Sequence, residues 1–215
     1  MDTDRIGVFS IKEQYRLSGS FCRHRMLPVF LGTLGIAIGL SVLMTLLFEQ
    51  HPAYSREILR AFSEKAQSVM TDGGISWPKL LLNNIEASLV GVVLGFVPFL
   101  FLPALVLISN AAVIGAVLSL YSLKGSNVAA VLAAGVLPHG IFEITAVVLS
   151  MSMGIYLCYT ICSLITGTNK GNKKAVMKKT VADIVRTFLC IVIPLLIAAA
   201  LIETYVTPLI LNKVI

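Results

Sequence analysis

The chain has 215 residues, of which 57% are hydrophobic and only 13% are charged, and its mean hydropathy is +0.89. An average soluble domain carries roughly 25% charged residues. This composition therefore excludes a disordered chain, a disulfide-stapled secreted domain and an ordinary cytosolic enzyme, and it predicts an integral membrane protein. Because each crossing needs about 20 apolar residues, the chain has room for about five or six spans in one membrane domain.

The basic residues give the expected orientation. The net charge is +6, and 11 of the 17 Lys and Arg residues lie in the segments 1–26 and 166–186. Basic segments stay in the cytoplasm, so we expect a multi-pass plasma-membrane protein with a cytoplasmic amino terminus. Aromatic residues do not interleave the basic ones, so we expect the lipid bilayer and no nucleic acid as a partner.

The first third of the chain predicts an arm, one span and a polar segment. Residues 1–26 form a cytoplasmic arm, a surface helix or a loop, and the membrane domain covers residues 27–215. The first span is Leu27 to Phe48. The extracytoplasmic segment 49–79 follows, in which apolar residues recur at helical spacing, so Ser55 to Met70 is expected to be an amphipathic helix on the membrane surface or against a partner.

The next apolar stretch is too long for a single span. A helix from Leu80 to Leu120 would extend about 60 Å, twice the thickness of the hydrocarbon core. Pro98 and Pro103 therefore predict a tight reversal between two spans. We expect the basic cytoplasmic loop 166–186 to be followed by the last span, Thr187 to Tyr205.

Between these spans, Asn127 to Ile165 is apolar but is interrupted by Pro138-His139-Gly140. Asn127 to Val136 would reach only about 15 Å as a helix. We interpret it as a re-entrant or interfacial half-helix, followed by a span from Ile141 to Ile165. Two complete spans divided near Ser150 to Gly154 are the alternative, which would place the basic loop outside. The fold class is therefore an all-α membrane helix bundle of about five spans with a broken helix at Pro138 and Gly140.

Small residues repeat at four-residue spacing on three spans. The glycines among them are Gly35, Gly39, Gly91, Gly95 and Gly115. Such stripes let helix backbones approach closely in lipid. Packing within one bundle is the first interpretation, and a narrow pore or a homo-oligomer contact are the alternatives.

Polar side chains within the apolar sequence are the candidate site. They are Asn83, Asn84, Glu86, Asn110, His139, Glu143 and Glu203. The amides either bridge helices or coordinate a substrate. We interpret Glu203 first as an interfacial carboxylate near the outer end of the last span.

His139 and Glu143 lie four residues apart, hence on one helix face. They form a structural hydrogen bond, a proton relay linked to transport, or part of a metal site. The spacing supplies two metal ligands where zinc takes at least three, although Glu86 or Glu203 would complete the set. We therefore expect no metal and no cofactor. The sequence lacks a nucleophile motif, a Walker loop and a dinucleotide fingerprint, so no enzymatic activity is expected.

Several short motifs also carry a family resemblance. They are Asn83-Asn84 with Gly91 and Gly95, Asn110 with Gly115, Pro138-His139-Gly140-Ile141-Phe142-Glu143, and Glu203-Thr204-Tyr205-Val206-Thr207-Pro208. Over roughly Leu27 to Pro208 the chain resembles the stage II sporulation protein M (SpoIIM) family of integral membrane proteins, and in particular its broad branch outside spore formers. The resemblance implies a plasma-membrane protein. Family members that act in sporulation help to position peptidoglycan-remodelling partners.

Two functions are consistent with these observations. The first is a non-enzymatic scaffold that recruits membrane or cell-envelope proteins through the Ser55 to Met70 helix and the cytoplasmic arms. The second is a small-solute or ion transporter or channel, because broken helices in many transporters end at a buried site. In that case the lining residues would be His139, Glu143, Asn83 and Asn110.

Overall fold

The computed structural model describes residues 10–66, 70–71, 74–133, 137–168 and 171–214. In that part of the chain the α-helices are α1 Ile11–Phe21, α2 Leu27–Gln50, α3 Pro52–Ala66, α4 Trp77–Val93, α5 Pro103–Leu123, α6 Val128–Val131, α7 Leu137–Ile165, α8 Lys173–Thr187, α9 Ile193–Leu201 and α10 Thr207–Val214. Three π-helical turns join consecutive helices: Cys22–Met26, Phe188–Val192 and Ile202–Val206. A 3-10 turn, Leu94–Phe96, follows α4, and a short antiparallel hairpin pairs Met70–Thr71 with Gly74–Ile75.

Among the described residues, five helical segments are long and apolar enough to cross a membrane. They are Ile11–Gln50, Trp77–Phe96, Pro103–Leu123, Leu137–Ile165 and Lys173–Ile210. The predicted all-α membrane bundle of about five spans is therefore confirmed.

The first and last spans are longer than the apolar pattern indicates. α1 continues into α2 through the first π turn, so residues 11–26 are not a separate surface helix or loop. The last helix begins at Lys173, where the Asn172 side chain accepts a hydrogen bond from the Ala175 amide at 3.2 Å. Most of the expected basic loop is therefore helical. At its other end this helix passes Tyr205 and continues to Val214.

The predicted amphipathic helix is α3, and it lies against the bundle. α3 packs on α2 and α5, and Phe62 faces a cavity between these helices and α7. The expected Ser55 to Met70 helix is wrong at its end, because Met70 belongs to the short hairpin; residues 67–69 lie outside the described residues.

The predicted reversal between α4 and α5 is a tight turn at residues 97–102. Phe99 and Phe101 adopt left-handed backbone conformations, with φ of 68° and 46°. The Phe99 amide donates a hydrogen bond to Cys162 Sγ at 3.1 Å, and Cys158 Sγ donates one to the Val97 carbonyl at 3.4 Å. Two cysteines of α7 therefore hold this turn.

α7 is the central helix of the bundle. In its most apolar stretch 56% of the residues are buried, compared with 6% for the first span, and it packs against α2, α4, α5 and α9. Before it, α6 begins at Asn127, whose side chain accepts a hydrogen bond from the Ala130 amide. α7 itself starts at Leu137, so Pro138 lies in the first helical turn, where its missing N–H has no helical partner to lose. Residues 134–136, the end of the expected half-helix, lie outside the described residues.

The small residues divide into two groups. A Cβ at Gly91 would overlap the Met151 side chain, a Cβ at Gly95 would overlap the Gly154 carbonyl, and a Cβ at Gly115 would lie 2.6 Å from Met44 Cβ. These glycines lie where helices touch. Around Gly35 and Gly39, by contrast, no atom of the described chain lies within 4 Å of such a Cβ.

Candidate functional site

Three ionisable side chains from two helices meet inside the bundle. His139 and Glu143 lie one turn apart on α7, and Glu203 belongs to the π turn that joins α9 to α10. One ligand atom from each of the three lies within 4.8 Å of the other two, and all three side chains are half-buried. We call this group the His-Glu-Glu cluster. Glu203, interpreted first as an interfacial carboxylate, therefore lies beside His139 and Glu143.

Two polar residues from neighbouring helices support the cluster. Thr207, which is buried in the first turn of α10, has its Oγ1 3.2 Å from His139 Nδ1. Asn84 of α4 is only 7% exposed, and its amide lies beside the Glu143 carboxylate. Asn84 Nδ2 is nevertheless outside hydrogen-bond geometry and has no partner among the described residues. A buried donor without a hydrogen-bond partner destabilises the fold by about 1 to 3 kcal/mol, so this amide is suited to donate a hydrogen bond to a bound ligand atom.

A cavity of about 210 Å³ adjoins the cluster between α2, α3, α5 and α7. His139 and Glu143 lie on its wall, together with Asn110 of α5 and Ser41 of α2. Phe62 of α3 and aliphatic side chains form the rest of the lining. Asn110 Nδ2 donates a hydrogen bond to the Val106 carbonyl at 2.8 Å. The cavity is therefore mostly apolar, with a few polar groups at one wall.

The helix geometry contributes to this arrangement. π turns are rare, and they occur frequently at functional sites because the extra residue redirects side chains. Here the π turn Ile202–Val206 carries Glu203, and Thr207 begins the next helix. Glu203 is thus part of the cluster, and Thr207, one helical turn later, contacts it through His139.

The cluster is energetically demanding in a membrane bundle. Glu143 and Glu203 are close enough for their charges to repel each other. An ionised side chain deep in a bilayer costs several kcal/mol unless it has a partner. A cation or a bound proton between the carboxylates would relieve this repulsion.

The structure brings together some of the sequence candidates and leaves others apart. His139, Glu143 and Glu203 form the cluster, Asn84 lies beside Glu143, and Asn110 lines the adjoining cavity. Asn83 is half-buried and Glu86 is exposed, and neither lines this cavity or belongs to the cluster.

The sequence did not predict that Thr207, Ser41 and Phe62 lie at the site. For Thr207 a signal existed, since it lies four residues after Glu203 in the same motif. Ser41 and Phe62 come from segments distant in sequence, and helical spacing alone does not bring them to α7.

The chain is similar to one protein family and to an archaeal protein. The family model described as Stage II sporulation protein M matches residues 26–208. The chain is 28% identical to an uncharacterized protein of the archaeon Methanocaldococcus jannaschii over 133 residues, which are 62% of this chain and 71% of that protein. An archaeal relative agrees with the expected branch outside spore formers. No solved structure matches significantly. The matched region includes every residue of the His-Glu-Glu cluster, and the chain belongs to the SpoIIM family.

Proposed function

We propose that this SpoIIM-family protein is a plasma-membrane transporter or channel for a small cation, with its amino terminus in the cytoplasm. The observation that carries the proposal is the cavity of about 210 Å³ with His139 and Glu143 on its wall. Its volume is below the 300 to 1,000 Å³ of typical pockets for organic ligands, which favours an ion or a very small solute.

The energetics of the buried charges support the same proposal. Ionisable residues inside membrane spans are rare, and they generally mark ion pathways, proton relays or ligand sites. A purely structural bundle would be more stable with apolar side chains of similar size in these positions. The acidic pair Glu143 and Glu203 therefore favours a function that needs negative charge within the membrane.

The position of the site agrees with passage through the bilayer. With the amino terminus inside, α7 runs from the outer surface inward, so His139 and Glu143 lie within the first two turns from the outer side. Phe62 of the extracytoplasmic helix α3 lies at the cavity wall. A displacement of α3 would open the cavity outward.

Flux measurements with purified protein in proteoliposomes test the proposal. We expect wild-type protein to carry H⁺, Na⁺, K⁺ or Zn²⁺, each followed with an encapsulated indicator, and Glu143→Gln to reduce the flux at least tenfold because the carboxylate charge is lost. Glu86→Gln is the matched control, since Glu86 is exposed on α4. The absence of flux for all four ions, or equal flux in wild type and Glu143→Gln, would reject the transporter.

A scaffold is the second candidate function, and the long first and last helices favour it. The segments Ile11–Gln50 and Lys173–Ile210 have 40 and 38 residues, close to 60 Å each, about twice the hydrocarbon core. Their basic ends, α1 and α8, pack against each other. A groove of about 860 Å³ follows α8, and its lining includes Met177, Val181 and Val185 together with two lysines.

The two functions respond differently to the same substitutions. A scaffold would retain its partners in Glu143→Gln and lose them when the α1 and α8 pair is altered. A transporter would lose flux in Glu143→Gln and keep it in variants of that pair. Membrane co-purification and flux, measured on the same two variants, therefore distinguish recruitment of envelope proteins from transport.

A further inference from the structure

We infer that the His-Glu-Glu cluster binds one divalent transition-metal ion, of the class to which Zn²⁺ and Mn²⁺ belong. This inference rests on the proposed role of the cluster as a cation site, but it does not require transport. In the sequence, the spacing of His139 and Glu143 supplies only two metal ligands, which argues against a metal site. The structure adds Glu203 as the third ligand.

The donor atoms suit such an ion. One imidazole nitrogen and two carboxylates are a mixed nitrogen and oxygen set, which zinc and other first-row metals accept from proteins. Mg²⁺ prefers oxygen ligands alone and retains several waters. Ligand atoms of a tetrahedral site with bonds of about 2.1 Å lie about 3.4 Å apart. The atoms here lie within 4.8 Å of one another, so small side-chain rotations that shorten these separations by up to about 1.4 Å would close the site.

The orientation of His139 is the second supporting feature. Its Nδ1 interacts with Thr207 Oγ1 at 3.2 Å, which leaves Nε2 as the ligand atom. Histidines that bind metals nearly always hold their other ring nitrogen in a hydrogen bond, because this fixes the ring and its tautomer. Thr207 is therefore a positioning residue for His139.

Asn84 supplies an observation independent of the three ligands. Its side chain is 93% buried beside Glu143, and Nδ2 has no hydrogen-bond partner within the described ranges. Three protein ligands leave an open position on a tetrahedral metal, which a water or a substrate atom fills. An oxygen in that position would accept the hydrogen bond that Asn84 Nδ2 lacks.

The first part of the test measures stoichiometry on untagged protein in detergent. We expect equilibrium dialysis with Zn²⁺ to give about one tightly bound ion per chain. Glu203→Gln should weaken the affinity at least tenfold, whereas Mg²⁺ should not compete. The matched control is Glu86→Gln, and the double variant His24→Gln with His51→Gln removes the two other histidines of the chain, both exposed. Both controls should bind Zn²⁺ as the wild type does.

The second part separates binding from folding. Without metal, Glu203→Gln should unfold at the same temperature as wild type or at a higher one, because it removes the repulsion from Glu143. With Zn²⁺, only wild type should gain thermal stability, since an ion that binds the folded state stabilises it. Thr207→Val should weaken binding less than Glu203→Gln does, because it only releases the His139 ring.

Several outcomes would overturn the metal site. These are no Zn²⁺ binding by wild type, binding that is lost in the double histidine variant, or equal affinity in Glu203→Gln. The results also separate the two proposals. Glu203-dependent Zn²⁺ binding without flux of any tested ion supports the metal site and rejects the transporter. Glu143-dependent flux without Zn²⁺ binding supports the transporter and rejects the metal site.

Discussion

At Gly95 and Gly154 the backbones of two helical segments are in direct contact. A Cβ at Gly95 would overlap the Gly154 carbonyl, and a Cβ at Gly154 would overlap the Gly91 carbonyl. Since the obstacle is backbone, rotation of a side chain cannot relieve it. These glycines fix the distance between α4, which carries Asn84, and α7, which carries Glu143.

We expect Gly95→Ala to lower the free energy of unfolding by about 2 kcal/mol or more, because overpacking at a rigid contact forces the helices apart. Gly35→Ala is the matched control. Nothing in the described chain lies within 4 Å of its added methyl group, and alanine favours the helix by up to about 1 kcal/mol. Thermal unfolding in detergent, followed by circular dichroism, measures both variants. A stable Gly95→Ala variant would contradict the close contact, and a destabilised Gly35→Ala variant would indicate that a second copy packs on that face.

At the scale of single residues, the sequence indicated which polar residues belong to the site better than it indicated which of them are in contact. The Pro-His-Gly-Ile-Phe-Glu motif placed His139 and Glu143 on one face because both belong to one helix. The meeting of Glu143 with Glu203 depends on how α7 packs against the last helix, which helical spacing does not specify. Asn83 and Asn84 are adjacent in sequence, and only packing shows that Asn84 is the buried one.

Among the elements, the pairing of α1 with α8 is held by a polar contact. Arg186 Nε donates a hydrogen bond to Gln14 Oε1 at 2.7 Å, and Arg186 Nη1 lies 2.6 Å from Asp183 Oδ1. The side chains of Arg186 and Asp183 are 22% and 18% exposed, so water screens this ion pair only in part. Arg186 therefore links α8 to α1 through Gln14, a residue 172 positions away in sequence.

We expect Arg186→Met to loosen α1 from α8 and to reduce the free energy of unfolding by about 1 to 2 kcal/mol, since it leaves Asp183 without its partner. Spin labels at Lys12 and Lys178, in a background without the native cysteines, should report a broader distance distribution. Arg16→Met is the matched control, because the Arg16 pair with Glu13 is 76% and 53% exposed and such pairs contribute little. An unchanged distribution in Arg186→Met would mean that apolar packing alone holds the pair.

At the scale of the whole molecule, the part of the chain that the structure describes has five candidate spans, and their number relates the sides on which the loops lie. An odd number of spans places the two ends of the membrane domain on opposite sides. If the amino terminus lies inside, as we propose, Ser126 would face the outside and Lys173 the cytoplasm. Both basic segments would then lie on the cytoplasmic side, which the positive-inside bias favours.

Cysteine labelling from each side tests this orientation. In a variant without the native cysteines, we expect a membrane-impermeant maleimide to label Ser126→Cys in intact cells and Lys173→Cys only after permeabilisation. Both positions are exposed, so accessibility reflects the side of the membrane rather than burial. Labelling of Lys173→Cys in intact cells would reverse the orientation and place the His-Glu-Glu cluster toward the cytoplasm.

Composition predicted the fold class because the number and length of apolar stretches limit how a chain crosses a bilayer. The prolines predicted the reversal before α5 because a proline interrupts a helix at its own position, whatever the helix packs against. The lengths of the first and last helices were underestimated, because charged residues end an apolar stretch without ending a helix. Lys173 to Arg186 remains helical outside the apolar core, with Asn172 as its N-cap.

The π turns have a consequence for insertions and deletions. Successive residues of an α-helix are about 100° apart around its axis, so loss of one residue turns everything that follows by that angle. A one-residue deletion within α9 would leave five hydrophobic segments, the same charge and nearly the same composition, but it would swing Glu203 and Thr207 out of alignment with α7. A one-residue deletion within the π turn Phe188–Val192 would instead remove the extra residue of that wider turn and keep the alignment. Equal hydropathy of the spans in a related chain is therefore not enough to bring Glu143 and Glu203 together. The residues between α7 and Glu203 must also turn Glu203 toward α7.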